Sequence, residues 1–518
     1  MSKTFLIIIL VYLNFSFSCR TKNNEFVTVA LPETFSSFDT LTSTQSAAAA
    51  ERVRSLMFNS LVRKDDKFEY IGELAREITS GENGKVIIFV LQDNVKFHNG
   101  KIFTSADVKY TFDELFKSNG FKAGAFVDTV EDTRVPHIVS IETPDPKTVV
   151  FTLNRASLRN QLLSNLVAVP IIPEGTVGQQ ATQPIGSGAF KFVSFDQSQN
   201  IVELAANPDY WEGAPKILKI RIKTVTDANS LQAELQSGGV DIAPLPTNLS
   251  PDTLKSLENS PSLEVEQFNG SNIQYLQFNT QSPPLNNVKL RQAIAYAIDR
   301  EKIINELLFG QATIAHSILP VESWAYNAGT KYSFDLAKAK QLVQESGYRG
   351  EPIKFTYPAG SAATNQYAQV IQNSLVQAGI NVEIETIERQ VLLKQLALGQ
   401  YQMYTGIWVG GNQDPIFLND LFTTKKIPNE KAKISCCNRS RYSNPEVDQI
   451  INQAFNSTNR EQAKELYFKA QEIISREVPM LPLWYPANMV VANKRIGNIK
   501  ISPSGDWSFI KDITADGK

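Results

Sequence analysis

The feature that most constrains this chain is a double-proline break between two stretches of different period. Residues 275–300 read YLQFNTQSPPLNNVKLRQAIAYAIDR. The first five alternate apolar and polar, the pattern of a half-buried strand. Pro283 and Pro284 have no N–H to give a ladder, so the strand must end before them. Leu290, Ile294, Ala297 and Ile298 then fall at i, i+4, i+7 and i+8, one apolar stripe of a helix. Arg291 and Arg300 lie off that stripe. A strand, a loop and a packed helix make an α/β unit, and by themselves they say nothing about function.

The same alternation of strand and helix recurs along the chain. Residues 27–31 and 86–92 read as strands, and 353–357 and 381–384 as two more. Helices are expected over 52–61, 335–347, 367–378 and 392–398, with Gly347 and Gly379 placed as C-terminal stops. Asn99-Gly100 is a hairpin signal. Thr104 and Asp107 form a capping box that opens a helix through Val108, Phe112 and Phe116. At 518 residues the chain exceeds what one core sustains, so two or more lobes are expected. A net charge of -2 gives no basic footprint for nucleic acid.

The N-terminus reads as a targeting segment. Lys3 precedes a short apolar run, 5–17, which is too short to span a bilayer comfortably. Ser16-Phe17-Ser18-Cys19 resembles a lipoprotein cleavage site, with Phe17 departing from the usual small residue. Cleavage there would leave Cys19 as the lipid-bearing first residue. No later stretch could span a membrane. The remaining cysteines, Cys436 and Cys437, are adjacent and favour a structural role in a loop, since bridging neighbours strains the backbone.

The spelling of several segments is more specific. Phe278-Asn279, Pro284-Leu285, Val288, Arg291-Gln292-Ala293-Ile294 and Ala297-Ile298-Asp299-Arg300 resemble the bacterial extracellular solute-binding proteins of family 5. So do Phe97-His98-Asn99-Gly100 with Thr104-Ser105-Ala106-Asp107-Val108, the run 184–190, Asn207-Pro208-Asp209-Tyr210-Trp211, the run 237–242, and the run 442–448. The resemblance implies a bilobal α/β periplasmic-binding-protein fold, type II, with an extra subdomain and a ligand cleft between two hinged lobes. It implies a signal peptide at 1–18, lobe I from 19–50, 184–268 and 480–518, an extra subdomain at 51–183, and lobe II from 269–479. It further implies a monomer that delivers a peptide or similar small solute to an ABC permease; lipidation at Cys19, expected from the cleavage-site spelling, would hold it at the membrane. Neither catalysis, cofactor nor metal is implied.

The ligand contacts that the resemblance implies are Tyr404, Trp408, Gly410, Gly411 and Asn412 on the strand and turn 401–414, with Thr44, Gln45, Phe268 and Asn269 facing them. Two departures bear on the ligand. Peptide binders of the family carry an aspartate for the amino terminus where this chain has Gly411. Dipeptide binders use an arginine in the segment 355–367, which here has no basic residue. A neutral solute such as a carbohydrate therefore stays open, as does a signalling or adhesion role. His98, His137 and His316 show no metal-ligand spacing, and His98 reads as a turn-side residue. Gly186-Ser187-Gly188 lacks the Lys-Ser/Thr of a phosphate loop and reads as a tight backbone crossing. An exported hydrolase would need a nucleophile elbow or HExxH, and neither motif occurs.

Overall fold

The computed structural model describes residues 26–44, 47–81, 84–130, 133–429 and 437–515. The expected signal segment 1–18, Cys19, Gln45 and Cys436 lie outside the described residues. No helix among the described residues is long and apolar enough to cross a membrane.

Two mixed sheets anchor two lobes. The first has seven strands. Val27–Leu31 sits inside it, parallel to Lys219–Thr224 on one side and to Ile242–Pro244 on the other. The edge beyond Ile242–Pro244 is made by Asn488–Asn493 and Leu263–Phe268. The second sheet has six strands, and Ile273–Phe278 lies between Met403–Trp408 and Met480–Pro486, antiparallel to both. A four-stranded antiparallel sheet belongs to the segment between the first strand of lobe one and the rest of it. In its strand Val86–Leu91, Ile87, Phe89 and Leu91 are buried and their neighbours half-buried, so the run is covered on one face more than on the other. The buried face meets Phe112 of the helix Ser105–Lys117, whose ring stands edge-on to Phe151 at 5.1 Å.

Helix ends follow the chain's polar and glycine residues. Asp335 caps Leu336–Ser346 by accepting from Lys338 N–H, and Gly347 ends it at φ +73°. Thr104 N–H donates to the Asp107 carboxylate at 3.0 Å, the return bond of the capping box. The helix near the N-terminus spans Ala48–Met57, earlier than the stripe alone suggested, because the alanines from 48 to 50 join its first turn.

Two arginines off the apolar stripe are buried all the same. Arg291 and Arg300 are each only 3% exposed. Arg291 donates to the carbonyls of Leu285, Glu477 and Val478. Arg300 donates to those of Ala315, Tyr332 and Pro482. Each buried cation thus satisfies main-chain acceptors from separate segments, and burial pushes each pKa down to about 10.

The chain passes between the two sheets twice, at 269–272 and at Ala487. Met480–Pro486, expected to begin the return to the first lobe, is still a strand of the six-stranded sheet. The two passages touch. A Cβ at Gly270 would stand 2.0 Å from the Pro486 carbonyl oxygen, so only glycine fits there. Asn488 Nδ2 donates to the carbonyls of Asn269, Ser502 and Pro503 and fastens both passages to the C-terminal loop.

Candidate functional site

A cleft of about 570 Å3 opens between the lobes, within the range of small-molecule sites. Several separated parts of the chain build it. The helix Ala48–Met57 contributes Glu51, Arg52 and Arg54. The inserted segment contributes Phe121, Lys122 and Phe126. The second lobe contributes Asn272, Val409 and Gly410. The loop after the last strand contributes Gly505 and Asp506.

The electrostatics divide these groups. Glu51 accepts from Arg54 Nε at 2.6 Å and pairs with Lys122 Nζ at 2.7 Å. Burial would raise its pKa, but these two cations outweigh burial and hold it below the usual range. Burial and the neighbouring Arg54 bring Lys122 down to about 8. Asp506 is ringed by serines: Ser502 and Ser504 donate to one oxygen, Ser508 N–H and hydroxyl to the other. Burial acts to raise its pKa, and these donors overcome it. The Arg52 side chain makes no hydrogen bond among the described residues, and its Nη1 is buried without a partner.

The residues expected from the resemblance are distributed unevenly. Gly410 lies on the cleft wall, at φ +73°, and its N–H donates to Asn272 Oδ1 at 3.2 Å. Next to it Val409 is 64% exposed. Trp408 points to the opposite face of its strand. Its ring stacks on Tyr275 at 6.2 Å, meets Phe417 edge-on at 5.0 Å, and carries the Arg439 guanidinium 5.8 Å away. Its Nε1 is buried without a partner. Tyr404, 2% exposed, donates to Gln277 Oε1 inside the second lobe. Asn412, fully buried, donates to the carbonyls of Ser271 and Ile318, so it holds the turn against the passage between lobes. A Cβ at Gly411 would meet the Phe417 ring at 3.2 Å. Thr44 is exposed, Phe268 packs against the first-lobe core, and Asn269 offers its carbonyl to Asn488.

The sequence reading missed Arg52, Lys122, Leu245 and Asp506. One signal was present: the run 502–508, SPSGDWS, places hydroxyls around a single acid. His98 takes the structural role expected of it. Gly186 N–H donates to Nδ1 and Nε2 faces the Gly188 carbonyl at 3.1 Å, so the ring is neutral with its proton on Nε2. Gly186 and Gly188 are a backbone crossing, since a Cβ on either would stand within 2.4 Å of Met57. Cys437 is disulfide-bonded, and its partner lies outside the described residues.

Residues 69–429 match the model of the bacterial extracellular solute-binding proteins, family 5 (Middle). The chain belongs to that family. This family 5 protein is similar to heme-binding protein A of Haemophilus influenzae, 29% identical over 535 aligned residues that span 96% of this chain and 93% of that protein. It is also similar to a probable di/tripeptide-binding protein of Pseudomonas aeruginosa, 28% identical, over 93% of this chain and 94% of that one. The fold is that of the substrate-binding protein CtaP of Listeria monocytogenes, with a TM-score of 0.83 at 22% identity over 95% of this chain and 99% of that chain. The family 5 protein is thus a substrate-binding protein of the ABC-importer type, built as two lobes around a cleft.

Proposed function

We propose that this chain is the exported, lipid-anchored receptor of an ABC importer. It closes two lobes over a peptide or similar small solute and hands the closed form to a permease. A solute that binds the closed state better shifts the population toward it.

The observation that carries the reading is the cleft, with walls drawn from both lobes and the inserted segment and only two adjacent chain passages behind it. The names of the relatives, which include peptide-binding and heme-binding proteins, support capture of a solute over turnover. The spelling Ser16-Phe17-Ser18-Cys19 supports an acyl anchor. The glycine at 411 and the absence of a basic residue in 355–367 favour a solute other than a short zwitterionic peptide, because a buried charged terminus without a partner costs several kcal/mol.

The test is release of bound solute from freshly purified protein by denaturation, followed by mass spectrometry, together with small-angle scattering before and after the solute is restored. A released solute and a smaller radius of gyration on its return are expected. Chemical conversion of that solute by rigorously purified protein would overturn the reading, as would binding without compaction.

A further inference from the structure

Five charged side chains line the cleft, and four have partners. Arg54 and Lys122 both pair with Glu51, at 2.6 and 2.7 Å. Asp506 is occupied by the amide of Ser508 and three serine hydroxyls. The fifth, Arg52, has neither hydrogen bond nor ion pair among the described residues, and its Nη1 is shut off from water. Glu33 acts on it through space, but that side chain is exposed and forms no ion pair with it. A buried donor without an acceptor is uncommon and costly, and a guanidinium is shaped to grip a carboxylate with two bonds.

The remaining wall is apolar. Leu245 holds φ +52°, fixed by its N–H to Met489 O and its carbonyl to Thr247 N–H, and lines the cleft beside Gly505. Phe121, Phe126 and Val409 also face this space. Among the described residues of the wall, no acid is left uncommitted to meet an ammonium group.

We infer that the cleft selects solutes with a free carboxylate on an apolar body, and that Arg52 is the residue that receives the carboxylate. This rests on the receptor reading above and names the class of solute that such a receptor would take. The ligand's other end needs no positive charge, which sets this cleft apart from one built for short zwitterionic peptides.

The experiment uses the mature chain, dialysed against a casein digest whose amino groups have been acetylated and separately against that acetylated digest after its carboxyl groups have been amidated. Bound solutes are released and weighed by mass spectrometry. The acetylated digest with free carboxyl groups should load the protein at least about tenfold better than the amidated one, in line with a charged hydrogen bond. Arg52→Gln should abolish that preference and Arg52→Lys keep part of it. Arg52→Met, which preserves the packing of the stem, should behave as Arg52→Gln does and guards against a misfolded variant.

Equal loading from both digests overturns the inference while leaving the receptor reading standing. So does a preference that survives in both Arg52→Gln and Arg52→Met, or a co-purified solute with no acidic group. Absence of any solute from the purified protein and from both digests overturns the receptor reading, and this inference falls with it.

Discussion

The phenol of Tyr70 donates to the carboxylate of Asp414, joining the inserted segment to the second lobe across 344 residues of sequence. Two further pairs lie alongside: Lys64 Nζ reaches Gln413 Oε1 at 3.1 Å, and Arg460 binds Glu69. These contacts exist only with the lobes together, so the conformation described is a closed one. Burial and the Asp414 charge push the Tyr70 pKa well up, which keeps its proton in place as the donor.

Tyr70→Phe should therefore favour opening. Loss of one hydrogen bond to a charged group is worth about 1.5 to 3 kcal/mol, so solute should leave about ten times faster or more. Ligand-free scattering should show a larger radius of gyration, with unfolding stability little changed. An unchanged radius and an unchanged release rate would remove the pair from the closing mechanism.

Arg291→Ala should destabilise the second lobe by about 3 to 5 kcal/mol, because it strips the donors from three buried carbonyls. Arg300→Ala should do the same for three others. Urea unfolding reads this directly, and a loss below about 1 kcal/mol for both variants would contradict the assignment.

These arginines also mark what could be read from sequence. Local signals were legible: the Asp335 and Gly347 helix ends, the Asn99-Gly100 turn and the glycine crossing at 186–188 all depend on near neighbours or backbone space. Arg291 lies off the apolar stripe, and the burial of its guanidinium was not legible because two of its acceptors, Glu477 and Val478, lie 186 and 187 positions away, a distance over which periodicity carries nothing. The cleft was legible only at Gly410. Its other walls come from separated segments that meet only in the fold, and strand alternation alone cannot say which face of 403–408 turns toward the space.

Trp408→Ala should lower the melting temperature of solute-free protein, since the indole is packed between Tyr275, Phe417 and Arg439. Truncating a buried aromatic side chain costs about 3 to 5 kcal/mol, and this half-buried one belongs at the lower end. If stability is unaffected while solute retention falls, Trp408 is a ligand contact after all.

Acid should act on His98. Burial, with a smaller push from Lys191, brings its pKa to about 4 from 6.5, against the opposing bond to Gly188. The folded pKa is depressed, so the contribution is fully present above about 6.5 and is lost as pH falls toward 4. Glu73 runs the other way: burial raises it to about 7 from 4.5, so its penalty is relieved as pH falls through that window. The two offset each other in the parent chain. His98→Asn should thus gain stability relative to the parent, by up to roughly 3 kcal/mol, as pH falls from about 6.5 to 4. Chemical denaturation at several pH values checks this, and a constant difference between the two proteins would refute it.

Cys19→Ser should free the protein from the membrane fraction if acyl chains hold it there, since stable anchoring takes more than one chain. Fractionation of cells that express each form decides the matter, and retention of the serine variant would rule out anchoring through this residue.

Because Gly270 presses on Pro486, the two passages between lobes act as a single pivot rather than two independent tethers. Sliding of one jaw along the other would have to break this contact, whereas rotation about it would not. A partner that grips both jaws from outside can then sense occupancy as an angle, without ever touching the cargo.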